Sequence, residues 1–401
     1  MKICFLAPNY YPVIGGAETY LHTVIEGLRK KGLEIIVLTN GVGVNAPTQE
    51  NFNGIEIYRL KNYWERMNDP TKVRWQEMYF SLLNEAKPIL DAHKIDILHA
   101  NSLDAAIWGS MLSLSLKVPL ICSFHEHAPE SEAFGDGKCE FVFSHLPVEN
   151  YIAGSNFYYE KALKFGADKA KLKLIYHGID LTKFNIEYTS SLRTKMCIPP
   201  DVPLIVCGAR LKERKGLLEL IRSIPKIREK INNIKLIIAG TRSSASDEYA
   251  EALYREVKLL NLEDVVTIDE NLTILDMPDL YASADIVAQP SYEEGLGLSI
   301  LEAMAMGKPI VSTNVCGVKE ILTHEENGWM VEPKTIDPIS EAILFLLEND
   351  KISKNMGYNA YNMVKEKFSI DRMIEETIAV YFSVINKQND LSGLIEGDVN
   401  N

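Results

Sequence analysis

Short runs rich in branched and aromatic residues recur down the chain, and between them lie segments whose apolar residues fall three and four apart. That alternation is the mark of strand–helix–strand units. It restricts a chain to sheets of mostly parallel strands with helices on their faces. In the first half the strand candidates are 2–7, 34–39, 55–60, 95–99, 118–125, 151–153 and 173–176. The spacing of Ala17, Leu21, Val24 and Leu28 predicts a helix from Gly16 to Lys31. A second series, 204–208, 234–240, 265–269, 286–289 and 310–313, follows a polar stretch that closes on Ile198-Pro199-Pro200-Asp201. Helices are expected at 338–348, 352–367 and 370–385, ahead of a polar tail.

At 401 residues the chain is too long for one ordinary core and suits two domains of about 150–200 residues each. The expected division is a first doubly wound domain over 1–184, a linker over 185–201 and a second domain over 202–368. A helix over 369–388 and a disordered tail over 389–401 complete it. Two such halves facing one another across a cleft would take ligands at the C-terminal ends of their strands.

The formal net charge of −13 argues against a general nucleic-acid binder and against strong docking on an anionic membrane, although a local patch leaves peripheral membrane contact open. Residues 1–8 lack the long apolar region and cleavage site of an export signal, so they read as a first strand and the location expected is cytoplasmic. The apolar stretch 105–116 carries three serines and is too short for a span of about 20 residues. Six cysteines, with no C-x-x-C pair, read as buried reduced thiols. Oligomeric state is not legible.

Four stretches carry chemistry. In the first, a strand ending near Pro290 runs into the turn Glu294-Gly295-Leu296-Gly297 and then a helix bearing Glu302. The N–H groups at such a helix start have no intrahelical partner and suit an anionic diphosphate. Glu294 and Glu302, eight positions apart, lie up to about 12 Å apart if the span is mostly helical. That is beyond the spacing of about 5–9.5 Å at which paired carboxylates act on one bond. It fits a grip on two ends of an elongated ligand, and it also fits two residues on a solvated helix.

In the second stretch, Arg210 and Lys215 follow a strand and can supply a bidentate fork and a point charge to a diphosphate, or form a solvated basic turn. In the third, Gly15 and Gly16 between the first strand and helix allow close backbone approach to a phosphate or sugar, or simply a tight turn. In the fourth, His125 ends a strand, where it can donate to a sugar hydroxyl or a departing oxygen. His127 makes an H-x-H pair with it, but no third ligand has convincing metal spacing.

Together these stretches resemble the family-four retaining glycosyltransferases with the GT-B fold, in which two Rossmann-like domains face a cleft. The matching positions are Gly15/Gly16, His125, Arg210/Lys215 and Glu294/Glu302, with His177-Gly178-Ile179-Asp180 similar to the family's Asn-Gly-Val/Ile-Asp signature. The resemblance implies a UDP- or GDP-sugar donor, a hydroxyl acceptor, retention of configuration and no cofactor or essential metal. It implies that Arg210 and Lys215 hold the diphosphate and that Glu302 holds the ribose hydroxyls. Glu294 would contact the transferred sugar, His125 would lie beside the anomeric centre, and Gly16 would offer its N–H near the distal phosphate. It further implies a final helix returning to the first domain. His177 stands where the family has Asn, and Gly240-Thr241-Arg242 replaces a frequent Gly-x-Gly. A sugar-nucleotide epimerase or hydrolase on the same fold, or a non-catalytic nucleotide-sugar-binding protein, are the alternative readings.

For the acceptor only local composition speaks. Five carboxylates, among them Glu126, Glu130 and Glu132, face one lysine between residues 124 and 145, which favours a neutral or amine-bearing soluble acceptor over a phosphorylated lipid. Tyr63, Trp64, Trp75 and Tyr79 are candidate stacking surfaces.

Overall fold

The computed structural model describes residues 1–12, 16–41, 43, 45–67, 75–125, 135–242 and 247–398. The chain divides into two compact units, one of Met1–Tyr176 with Asp371–Asn401, the other of His177–Ile370.

In the first unit the strands are β1 (Lys2–Ala7), β2 (Glu34–Asn40), β3 (Gln49–Phe52), β4 (Ile55–Leu60), β5 (Ile97–Ala100), β6 (Leu120–Phe124), β7 (Asn150–Ala153) and β8 (Leu172–Leu174). They form one sheet in the order β3-β4-β2-β1-β5-β6-β7-β8. All neighbours run parallel except β3 against β4. Interior strands covered on both faces need continuous apolar runs, and Ile3, Cys4, Phe5 and Leu6 of β1 are all buried. The helix Gly16–Lys30 turns Leu21, Val24 and Leu28 into the core.

The second unit carries β9 (Leu204–Gly208), β10 (Lys235–Ala239), β11 (Val266–Asp269), β12 (Ile286–Gln289), β13 (Ile310–Thr313) and β14 (Trp329–Val331). Their order is β11-β10-β9-β12-β13-β14, with every described pair parallel. From β9 the chain winds outward through β10 and β11, then returns to lay β12 against β9 and winds the other way. That reversal leaves a crevice at the C-terminal ends of β9 and β12, where open α/β sheets take ligands. In the first sheet the same reversal falls between β1 and β5.

Two expected boundaries move. Residues 177–184, expected in the first domain, and 185–201, expected as a linker, both belong to the second unit. Their polar groups are used: Arg193 pairs with Asp285 at 2.6 Å, and the Ser191 N–H and the Lys195 ammonium both donate to Asp279. The tail expected to be disordered from 389 is helical to Asp398, within the helix Ile370–Asp398. Its residues from Asp371 join the first unit, where the Tyr381 hydroxyl bonds His99 Nδ1 at 2.6 Å. Of the cysteines, four are buried, but Cys197 and Cys316 are exposed. Among the described residues no helix is long and apolar enough to cross a membrane.

Candidate functional site

In the second unit the two strands beside the reversal each end in a glycine-bearing turn. After β9 the chain passes Arg210 and makes a single turn of 3-10 helix, Glu213–Lys215. Gly216 then adopts φ +65°, and a Cβ there would lie 2.0 Å from the Pro290 carbonyl oxygen, so the two turns touch through a position that admits only glycine. The helix Leu217–Arg228 follows.

After β12 the second turn is bonded to the first. Tyr292 N–H donates to the Arg214 carbonyl at 2.7 Å, and Arg214 Nη1 donates to the Glu293 carbonyl at 3.3 Å. The Lys215 ammonium meets Glu294 Oε1 at 2.5 Å, and the Ser291 hydroxyl donates to the same oxygen at 2.7 Å. The Glu294 carbonyl accepts from Gly317 N–H at 3.1 Å. Below the turns, buried Gln289 donates to the Gly208 carbonyl at 3.0 Å and accepts from the Cys207 thiol.

Charge is unevenly distributed here. Burial pushes the Glu294 carboxyl up, but the Lys215 charge and the bonds from Lys215 and Ser291 outweigh it and hold the group below its ordinary value. Burial together with the neighbouring Arg210 and Arg214 charges lowers Lys212. Arg210 itself is exposed, and no carboxylate among the described residues pairs with it. The basic turn therefore carries positive charge beyond what Glu294 neutralises, a condition that attracts an anion.

The helix Leu298–Ala305 begins just past Gly297, which takes φ +95°. Only about half of the span from Glu294 to Glu302 is therefore helical, and the separation expected for a fully helical span does not apply. Gly295, Leu296 and Gly297 form the approach to a helix start whose first N–H groups have no intrahelical acceptor. Burial drives the Glu302 carboxyl up to about 8. Tyr281, buried on the helix Met277–Ser283, faces Glu302 but completes no hydrogen bond of ordinary geometry with it.

In the first unit His125 stands one residue past β6. Its Nε2 is 3.2 Å from Asn101 Oδ1, its carbonyl accepts from the Tyr158 hydroxyl, and the Tyr20 ring meets it edge-on at 5.3 Å. Burial lowers its pKa to about 4, so the imidazole is neutral at physiological pH. Behind it, His99 Nε2 bonds the Ser123 hydroxyl at 2.8 Å, and its ring stacks on Phe5 at 4.6 Å. Arg59, buried in β4, donates to the Tyr11 carbonyl at 2.5 Å and the Pro47 carbonyl at 2.7 Å, so it anchors the loop that leaves β1.

The site residues expected from the sequence thus fall into two groups. Arg210, Lys215, Glu294, Gly295, Leu296, Gly297 and Glu302 gather at the reversal of the second sheet, and His125 stands at the end of a first-sheet strand. Gly16 opens the helix after β1, whereas Gly15, Glu126, His127, Glu130 and Glu132 lie outside the described residues. Tyr63 is core, packed against Trp64 and Trp108, and so is no stacking surface; Tyr79 is exposed. His177-Gly178-Ile179-Asp180 has a packing role: Ile179 N–H donates to the Phe368 carbonyl, and a Cβ on Gly178 would strike Ile370. Ser291, Tyr281, Asn101 and Arg59 were not anticipated. Only Ser291 had a signal, its place next to the glutamate turn.

Comparisons with known proteins cover both halves. Residues 190–363 match the family described as glycosyl transferases group 1, and residues 14–183 match glycosyltransferase family 4. An uncharacterized glycosyltransferase of Methanocaldococcus jannaschii is 30% identical over 395 residues, covering 95% of this chain and 98% of that one. The D-inositol 3-phosphate glycosyltransferase of an Arthrobacter species is 23% identical over 97% of this chain and 96% of its own. Among solved structures, Anabaena HepE in complex with UDP and glucose superposes with a TM-score of 0.79 at 22% identity, over 96% of this chain and 100% of that chain. Sucrose-phosphate synthase from Thermosynechococcus elongatus gives 0.80 at 18%, over 96% and 99%. These likenesses establish the GT-B fold.

Proposed function

This chain belongs to the group 1 glycosyltransferases, and on that premise we propose that it moves a hexosyl group from a UDP- or GDP-sugar to a hydroxyl of a soluble small molecule or glycan. The anomeric configuration is retained, and no metal ion is required. The observation that carries the reading is the Lys215–Glu294 contact beside the start of the helix Leu298–Ala305, next to an exposed Arg210 with which no carboxylate pairs among the described residues. A diphosphate there is met by a fork, a point charge and backbone donors.

In this reading Arg210 and Lys215 hold the diphosphate, with the N–H groups of Gly295, Leu296 and Gly297 in support. Lys215 then shares its charge between phosphate and Glu294, whose carboxylate accepts from hydroxyls of the transferred sugar. Glu302 accepts from the ribose. His125, a neutral imidazole, serves the anomeric centre, and the N–H of Gly15 or Gly16 the distal phosphate. The bond from the anomeric carbon to the diphosphate breaks as the bond to the acceptor oxygen forms on the same face, and the acceptor hydroxyl's proton passes to the departing diphosphate oxygen. HepE, solved with UDP and glucose and with UDP-glucose, supports UDP as the carrier.

The acidic segment after β6, with Glu126, Glu130 and Glu132, supports a neutral or amine-bearing acceptor, because negative charge repels a phosphorylated one by an amount that salt reduces. The test is incubation with labelled UDP- and GDP-sugars and a panel of neutral, amino and phosphorylated acceptors, with the product examined by NMR. Transfer with retained configuration, surviving EDTA and ranking phosphorylated acceptors last, is expected. Inversion, loss of activity with the chelator, or free sugar as the sole product would count against it. Efficient transfer to a phosphorylated lipid, unchanged in the Glu130→Gln/Glu132→Gln double variant, would retire the acceptor assignment.

A further inference from the structure

The Tyr281 hydroxyl is buried under the donor turns and completes no hydrogen bond among the described residues. A Cβ at position 208 would come within 2.4 Å of it, so Gly208, the last residue of β9, is what leaves the hydroxyl its room. A phenylalanine would fill the same space without burying an unsatisfied oxygen. Because the hydroxyl completes no hydrogen bond of ordinary geometry here, its full use lies in a state where a neighbour accepts from it. Glu302 is the neighbour it faces. An ionised carboxylate has about four acceptor positions, enough for a phenol on one side and a diol on the other.

We propose that Tyr281 is a positioning residue for Glu302: its hydroxyl donates to one carboxylate oxygen and so leaves the other turned to accept from the ribose hydroxyls of the donor nucleotide. This rests on the reading of Glu302 as the ribose acceptor and adds the group that orients it. Charge follows geometry. Burial drives Glu302 up to about 8, and a donating phenol opposes that rise. The other ionisable groups facing the Tyr281 hydroxyl are Cys207 of β9 and Glu294 of the turn. Cys207 is pushed up to about 12 by burial and stays neutral, whereas Glu294 stays ionised against Lys215. Glu302 is then the group in this cluster that changes charge near neutral pH. Nucleotide affinity rises with pH up to about 8 and levels off above it.

Calorimetric titration of UDP, GDP and their 2′-deoxy forms into the full chain, across a pH series, provides the test. Wild type is expected to bind one ribonucleotide and to lose about 10-fold or more on its 2′-deoxy form, the scale of a hydrogen bond to a charged group. Tyr281→Phe should lose about 3- to 10-fold on the ribonucleotide and little on the deoxy form. Its affinity should climb to a plateau at higher pH than wild type, and its melting temperature should be no lower. If Tyr281→Phe keeps the wild-type ribose discrimination and pH profile while Glu302→Gln abolishes both, the proposal falls and the Glu302 reading stands. If wild type binds neither diphosphate or ignores the 2′-hydroxyl, or if Glu302→Gln still discriminates, both fall.

Discussion

Lys215 and Glu294 are nearly buried against each other at 2.5 Å, so each makes the other's burial tolerable. Removing the cation alone leaves a carboxylate in a poorly solvated place, and breaking such a pair costs about 3–5 kcal/mol. Lys215→Ala should therefore melt well below wild type at neutral pH. The sign of the pH effect follows from Glu294 being held below its ordinary value of 4.5. A lowered carboxyl contributes stability above that value and loses it as the pH falls through the folded-state pKa. The gap between wild type and Lys215→Ala should narrow in acid, and thermal melts across the acid range will check it. A gap that widens in acid would mean that the pair does not hold Glu294 ionised. His125 makes a separate case, because its lowered pKa of about 4 leaves it uncharged at physiological pH. His125→Ala should lower transfer by about 10²-fold with nucleotide binding nearly intact, the usual scale for a positioned polar group. Single-turnover rates beside calorimetry will separate the two effects.

At the scale of elements, the candidate donor site is two turns held in register by Gly216, whose φ of +65° and 2.0 Å approach to Pro290 exclude any side chain. Gly216→Ala should cost about 2 kcal/mol or more and weaken nucleotide binding with it, because the turns bearing Lys215 and Glu294 must part. Denaturant melts and calorimetry on the one variant will show whether both fall together. Much of this architecture was legible in the sequence, since residues 3–7 of β1, 204–207 of β9 and 286–288 of β12 are the apolar runs that strands covered on both faces require. Gln49–Phe52 was not, because an edge strand with a polar sequence carries no apolar signal, and Trp329–Val331 is too short to show one. The glycine turns were legible as places where backbone approaches something. Their contact with each other, and the ion pair that results, needed the fold, because Lys215 and Glu294 are 79 residues apart.

At the scale of the whole molecule, the chain is a GT-B glycosyltransferase of two parallel-sheet domains, each with a reversal in strand order and functional candidates at the strand ends beside it. The polar stretch before β9 read as a linker, yet its arginine, serines and lysine are bonded to Asp279 and Asp285. Polar composition marks solvent and salt bridges alike, and only the partner tells them apart. Tyr281 was silent for the opposite reason, since a buried aromatic at helical spacing reads as core. On the proposed reading the nucleotide lies on the second domain, through cations on one turn and carboxylates around the next. The most direct measurement is calorimetric titration of UDP and GDP into the full chain, comparing wild type with Arg210→Ala, Lys215→Ala and Glu302→Gln. One diphosphate should bind, and each variant should lose about 10- to 150-fold, the worth of a charge-assisted contact of roughly 1.5–3 kcal/mol. Affinities unchanged across all three variants would contradict a nucleotide site at the reversal of the second sheet.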